Sequence, residues 1–255
     1  MQVAGRSIGK IAGSVLQRRH YVAARNMIKV YEHPVDIFRR YLSGSGDYPT
    51  TVRLRTPLGW VSLQLYTAHD LLTVNEIFCR SDYQAGPADR VIVDFGSNIG
   101  ISAAYFLSRN PDAFVYLFEP LPRNIARLQD NLRPFEGRYA LQEVAVSTAE
   151  GEVEFGWEET GRYGGVDAAF GNSLTVKSVD SQRVLRDVVD KHGHIDILKI
   201  DIEGLESAVI NHIPADLAAK IDKLYVEYVF DHNPLATTHT LVQYGDIAQF
   251  TLIGG

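Results

Sequence analysis

The chain's 255 residues predict an α/β fold: a mostly parallel sheet with helices on both faces, preceded by an N-terminal helical segment and a β-hairpin. Two stretches carry that expectation. In Val91-Ile92-Val93-Asp94-Phe95-Gly96-Ser97-Asn98-Ile99-Gly100 a β-branched and aromatic run enters a glycine-bearing turn, and the amphipathic run Ile101 to Ser108 follows at once. This is the pattern of a buried parallel strand feeding a helix. In Ile195-Asp196-Ile197-Leu198-Lys199-Ile200-Asp201-Ile202-Glu203-Gly204-Leu205-Glu206 a second apolar strand ends at Asp201 and turns at Gly204 into a helical run reaching His212.

Composition sets the outer limits. With 45% hydrophobic and 22% charged residues, the chain can bury a sizeable core as one α/β domain with an appended N-terminal segment. A net charge of −6 argues against a nucleic-acid partner, which calls for a basic surface. The single Cys79 permits no internal disulfide and suits a reducing compartment, so a cytoplasmic location is expected. No apolar run reaches the length of a membrane span.

Met1 to Tyr31 carries Arg6, Lys10, Arg18, Arg19, Arg25 and Lys29 before the first acid, Glu32. With modest apolar positions at Ile8, Ile11, Val15, Leu16 and Val22, it reads as an amphipathic helix packed on the domain or on a second subunit, rather than as a membrane-surface helix or transit peptide. Homo-oligomerisation through it is therefore open. Val52 and Leu54, the turn Thr56-Pro57-Leu58-Gly59, then Val61, Leu63 and Leu65 read as a β-hairpin outside the central sheet. Glu76, Ile77, Phe78 and Tyr83 form a helix-like connection, with Tyr83 a candidate lining of a cofactor site. The expected division is residues 1–83, a cap or oligomerisation segment, and residues 84–255, the ligand-binding domain.

Beyond Gly100 the strand and helix units repeat. Phe114 to Glu119 is a second buried strand, ending in an acid about twenty residues past the loop, where such folds place a carboxylate on ribose hydroxyls. Pro120 and Pro122 then stop the strand and start the helix Arg123 to Leu132. Leu141 to Val146 reads as a third strand, with Ala145 a candidate contact for an adenine edge. Gly151 to Phe155 reads as an extra strand, and Gly156 to Asn172 as a glycine-rich flap carrying Trp157, Tyr163 and Phe170. Leu224 to Tyr228 supplies one more strand tip, at Glu227. After it come a helix-like run, Leu235 to Ile247, and a short strand, Phe250 to Ile253.

Ligands of doubly wound sheets gather at the carboxyl ends of the strands, so Asp94, Glu119, Asp201 and Glu227 should face one crevice. The loop glycines identify the ligand class. A dinucleotide site wants G-x-G-x-x-G, but Ser97 and Asn98 follow Gly96, and a carboxylate, Asp94, stands at the strand tip. That arrangement favours a cationic cofactor without phosphate, S-adenosylmethionine, held by Asp94, Gly96, Ser97, Asn98, Gly100 and Glu119.

The segments V-D-F-G-S-N-I-G, F-E-P and L-K-I-D-I-E-G-L-E, with V-E-Y further on, resemble the FkbM family of S-adenosylmethionine-dependent O-methyltransferases over roughly Glu76 to Tyr228. The resemblance implies a Rossmann-like, seven-stranded class I methyltransferase sheet and methylation of hydroxyls on sugars and other natural products. It makes Asp94, Gly96, Asn98, Gly100 and Glu119 cofactor contacts, and Asp201, Glu203 and Glu227 active-site acids. The family fold finishes with two paired strands, which the tail of this sequence does not display.

Methyl transfer to an alcohol needs the acceptor aligned and its proton removed. Glu203 and His232 are candidate bases, and Asp201 and Glu227 are a candidate Mg²⁺ pair lowering the hydroxyl pKa instead. The acceptor is expected to be a small molecule or oligosaccharide. Two other classes share parts of the pattern: a Rossmann-type oxidoreductase, disfavoured by the loop spacing, and a non-catalytic scaffold subunit, which would bind no S-adenosylmethionine.

Overall fold

A computed structural model describes residues 2–3, 6–7, 18–44, 46–158, 164–166 and 171–254. The chain divides into two compact units, Met1–Gln84 and Ala85–Gly255.

In the first unit α1 (Arg18–Val30) and α2 (Pro34–Ser43) precede a hairpin, β1 (Thr50–Thr56) and β2 (Gly59–Leu65), then α3 (Ala68–Val74) and a π-helical turn, Asn75–Arg80. The hairpin follows from period-2 patterning: Val52, Leu54, Val61, Leu63 and Leu65 are buried while their neighbours face outward. α3 starts at Thr67, whose hydroxyl accepts from Asp70 N while the Asp70 carboxylate accepts from Thr67 N, a reciprocal cap. Tyr31 donates to Asn75 Oδ1 at 2.8 Å and Asn26 to Cys79 O at 2.8 Å, tying α1 to the π-helical turn. Tyr83 is buried at the end of this unit. Of the basic segment's apolar positions, Ile8, Ile11, Val15 and Leu16 lie outside the described residues.

The second unit is built on a seven-stranded sheet. Its strands are β3 (Val91–Phe95), β4 (Phe114–Phe118), β5 (Tyr139–Gln142), β10 (Ile195–Ile200), β11 (Ile221–Glu227), β12 (His239–Tyr244) and β13 (Ile247–Leu252), in the order β5-β4-β3-β10-β11-β13-β12. Only β13 runs opposite to the other six strands. The order reverses between β3 and β10, the kind of switch point at which α/β sheets bind ligands. β3 and β10 are buried along their whole length, as central parallel strands with both faces covered must be. Helices α4 (Ile101–Leu107), α5 (Pro122–Leu132), α6 (Ser181–His192), α7 (Glu206–His212) and α8 (Ala215–Ala218) connect the strands. Pro122 stands in the first turn of α5, where its missing N–H costs nothing. No helix among the described residues is long and apolar enough to cross a membrane.

Three expectations are corrected. Leu141 to Val146 is not one strand: the chain bends at Val144, so β5 joins the large sheet while β6 (Ala145–Ser147) joins a second one. That sheet has four strands in the order β8-β7-β9-β6, with β7 (Gly151–Trp157), β8 (Gly164–Val166) and β9 (Asn172–Asp180). Gly156 to Asn172 is thus not one loop, since β7 extends to Trp157 and pairs there with Gly164. Tyr163 and Phe170 lie outside the described residues. Finally, Leu235 to Ile247 is no helix. β12 and β13 form a hairpin closed by Gly245 and Asp246, with Tyr244 paired to Ile247 and Gly245 at φ 64°, the left-handed conformation a two-residue turn demands. The sheet therefore ends in the paired strands that the family pattern requires.

β13 anchors this edge through Phe250, fully buried and edge-on to Phe230 with centroids 5.5 Å apart. Phe250→Ala should cost about 3–5 kcal/mol of unfolding free energy. Urea denaturation measures it, and a loss below about 1 kcal/mol would show that the hairpin is not part of the cooperative core.

Candidate active site

The loop after β3 is bound into the sheet rather than standing clear of it. Gly96 N and Ser97 N both donate to Phe118 O, at 3.1 and 3.0 Å. The Ser97 hydroxyl donates to Asp94 O at 2.9 Å and accepts from Phe118 N at 3.1 Å. Ser97 is thereby spent on shaping the loop. Gly96 sits at φ 79°, and a Cβ there would lie 1.7 Å from Asp201 O. Its glycine therefore admits the β10 loop, whose Asp201 N donates to Phe95 O at 3.1 Å. Asn98 takes φ 46° and Gly100 starts α4.

Asp94 meets a partner that the sequence reading does not give it. β3 and β10 are parallel and in register, with Asp94 opposite Lys199. Lys199 Nζ lies 3.0 Å from Asp94 Oδ1, and Ser102 Oγ donates to Asp94 Oδ2 at 2.6 Å. The carboxylate is fully buried, with Oδ1 paired to Lys199 and Oδ2 accepting from Ser102, so its charge is met from within the chain. Burial raises the Asp94 pKa against the opposing pull of Lys199. For Lys199 burial acts downward, but Asp94 and Asp201 outweigh it and hold the ammonium well above its usual range.

Lys199 is the residue that sequence reasoning passed over. The signal was present: a lysine inside an apolar buried strand is rare unless paired. From β10 its ammonium reaches past Phe95 to donate to Gly96 O at 2.7 Å and lies 3.4 Å from Asp201 Oδ2. It therefore touches both loops of the crevice.

Glu119, just past β4, is 5% exposed. Its Oε2 accepts from Asn98 N at 2.9 Å, and its Oε1 from Leu121 N at 3.0 Å and Asn124 Nδ2 at 3.3 Å. Burial, opposed by these donors, pushes its pKa up to about 7. It occupies the loop amide that a pyrophosphate would use, and its charge repels one. The donor set thus fits a cofactor with hydroxyls and a positive charge.

Asp201 and Glu227 act on Lys199, and Glu203 lies near enough to Glu227 to repel its charge. The Asp201 charge beside Glu227, together with partial burial, pushes Glu227 up to about 8, with Glu203 adding to the repulsion. Glu203 stands at φ 53°, strained for a non-glycine residue. Glu206 holds it there by accepting from Ile202 N at 2.9 Å and Gly204 N at 2.8 Å, on either side. A hard divalent ion wants about six oxygen ligands. Here only two carboxyl groups are at hand, one of them raised to about 8 by the other, and an ammonium already lies 3.4 Å from Asp201. The expected Mg²⁺ pair, Asp201 and Glu227, does not fit. His232 is exposed on the loop between β11 and β12. Ala145 is buried in the smaller sheet, paired with Ser178. Tyr83 belongs to the first unit.

A seven-stranded sheet with one reversed strand, a glycine loop after its first parallel strand and acids at the next strand tips define the class I methyltransferase fold. Residues 94–250 match the methyltransferase FkbM domain, and the chain belongs to that family. It is 32% identical over 157 residues to the 2-O-methyltransferase NoeI of Sinorhizobium fredii, covering 55% of this chain and 63% of that protein. It is 24% identical over 165 residues to the hexuronic acid methyltransferase AglP of Haloferax volcanii, covering 60% and 66%. The chain thus spans less than two thirds of either relative. Among solved structures, an rRNA methylase from Streptococcus thermophilus overlays at TM-score 0.33 with 8% identity, over 64% of this chain and 87% of that one.

Glu119 yields a test of the cofactor site. Ribose hydroxyls donate to an ionised carboxylate better than to a neutral one, and Glu119 ionises only as pH rises through about 7. S-adenosylmethionine affinity should therefore strengthen about tenfold from pH 6 to 8, and Glu119→Gln should flatten the slope. Calorimetric titration at several pH values reads it; a slope unchanged in the variant would remove Glu119 from the cofactor site.

Proposed function

We propose that the protein is an S-adenosylmethionine-dependent O-methyltransferase acting in the cytoplasm on a hydroxyl of a sugar or another polyhydroxylated small molecule or oligosaccharide. The observation that carries this reading is the Asp201–Glu227 carboxyl pair beside the glycine loop, a proton acceptor where an alcohol must lose its proton. NoeI and AglP, a 2-O-methyltransferase and a hexuronic acid methyltransferase, support a carbohydrate acceptor. So does the rim. Tyr228, directly after Glu227, is exposed, and its ring packs on Phe230 with centroids 4.7 Å apart. An ordered aromatic face beside carboxylates suits a sugar ring, apolar on its faces and hydroxylated at its edge.

S-adenosylmethionine, when bound, supplies a methyl group activated by a positive sulfur. The chain's own residues do the rest. Glu119 accepts from the ribose hydroxyls, and the loop 96–100 fixes the cofactor's depth. Asp201 and Glu227 accept a hydrogen bond from the acceptor hydroxyl and hold it in line. The pair then takes the proton, with Glu203 adding negative charge beside it. Residues 1–83 serve as a cap or in self-association, for which the exposed Val22, Ile28, Val35 and Leu42 of α1 and α2 speak; sedimentation velocity separates a dimer from a monomer.

The base is strongest when both carboxylates are ionised, so turnover should climb with pH and level off above about 8. Asp201→Asn removes the charge that raises Glu227 and should move the inflection down towards the ordinary carboxylate range, with kcat reduced about 10²-fold. Rate profiles of S-adenosylhomocysteine release on a panel of sugars check this. An unmoved inflection assigns the proton elsewhere, and methylation of amine or thiol acceptors alone would overturn O-transfer.

No divalent ion takes part in this scheme. Exhaustive dialysis against EDTA should leave turnover within about twofold, and loss of activity restored by Mg²⁺ would reinstate a metal.

A further inference from the structure

We propose that Lys199 is the positioning residue of this site: a cation carried by the chain itself, which fixes Asp201 against the glycine loop and takes the place a metal ion would hold. The inference rests on the methyl-transfer reading above for what is positioned, and on the geometry alone for how.

Two loops must keep a constant separation if a methyl group held by one is to reach an oxygen held by the other. The loop after β3 carries the cofactor groups, and the loop after β10 carries Asp201 and Glu203. Three contacts join them: Asp201 N donating to Phe95 O at 3.1 Å, the absent Cβ of Gly96 against Asp201 O, and Lys199 Nζ between Gly96 O at 2.7 Å and Asp201 Oδ2 at 3.4 Å. Only the last reaches a side chain that can meet the acceptor. The ammonium donates to Gly96 O and lies within ion-pair distance of Asp94 and Asp201, so one group binds the glycine loop by a directed bond and both carboxylates by charge. Asp94 and Ser102 hold it from below, which keeps its position independent of any ligand.

A purely structural ion pair would matter for folding and for nothing else. Continuum reasoning and precedent both indicate that a buried pair can be exchanged whole for apolar residues without loss of stability, whereas removing one partner strands the other's charge. This separates the two roles. The variant to make is therefore the double substitution Lys199→Met with Asp94→Leu, alongside Lys199→Ala.

The double variant should keep its melting temperature within a few degrees and bind S-adenosylhomocysteine within about fivefold of the parent, because Glu119 and the Phe118-bonded loop are untouched. Hydrogen exchange at the Asp201 amide should speed up at least tenfold, and kcat should fall at least 10²-fold with little change in cofactor KM. In Lys199→Ala, where Asp94 still waits for a cation, added ethylammonium should restore part of the turnover and ethanol none. Unchanged exchange at Asp201, or a double variant turning over within threefold of the parent, would overturn the proposal. If the parent methylates no hydroxyl acceptor, the functional reading fails, and the exchange measurement still decides whether Lys199 positions Asp201. Should Lys199→Ala not fold, the double variant carries both readouts.

Discussion

The pairing of Asp94 with Lys199 is the contact on which the rest of this molecule turns. Every residue of β10 is buried, and an ammonium can stay there only if its charge and all its donors are met. Register supplies the partner. Because β3 and β10 run parallel with Asp94 opposite Lys199, both side chains leave the same face of the sheet. A slip of one residue would send the lysine to the opposite face, into the apolar layer around Val209 and Ile210 or its counterpart. The pair is thus a register lock at the centre of the sheet, where apolar residues alone would tolerate more than one alignment.

Fixing that register fixes the crevice. With β3 and β10 aligned, Gly96 meets the Asp201 backbone, and Glu119 from the neighbouring strand closes on the Asn98 amide. Glu119 and Glu227 in the crevice are then raised for different reasons. Glu119 is raised by burial, and Glu227 by the charge of Asp201. The difference separates their tasks, since a buried acid with fixed donors suits a ligand that brings hydroxyls, whereas an acid sharing a proton with its neighbour suits proton transfer.

The parts legible in the sequence are those that local pattern decides. Val91–Phe95, Phe114–Phe118 and Ile195–Ile200 are apolar runs bounded by glycine, proline or acid, and each is a strand. The tail is harder. Thr240-Leu241-Val242-Gln243 fits either period, and the strand pairing that settles it comes from Phe250 and Ala248 opposite. Tyr139 to Ser147 divides between two sheets for a similar reason, because the bend at Val144 leaves no mark in hydrophobicity. At the site, Asp94 and Glu119 stand out as acids at strand tips, but which atom each faces depends on pairing across about a hundred residues of chain. That is why neither the Asp94–Lys199 pair nor the close approach of Gly96 to the Asp201 backbone shows in the local pattern.

A class I methyltransferase sheet is shared by enzymes with many acceptors, so the acceptor has to be argued from the site. Asp94 and Asp201 flank a single ammonium, whose charge Glu119 and Glu227 also feel, and it is already committed to three of the groups around it. Such a crevice turns increasingly negative as Glu119 and Glu227 ionise, through about 7 and about 8. A phosphate-bearing acceptor would meet repulsion without a free cation on these strand tips to answer it, in a chain whose net charge is itself −6. A neutral polyol meets the opposite: hydroxyl donors for the carboxylates, and in Tyr228 an apolar face.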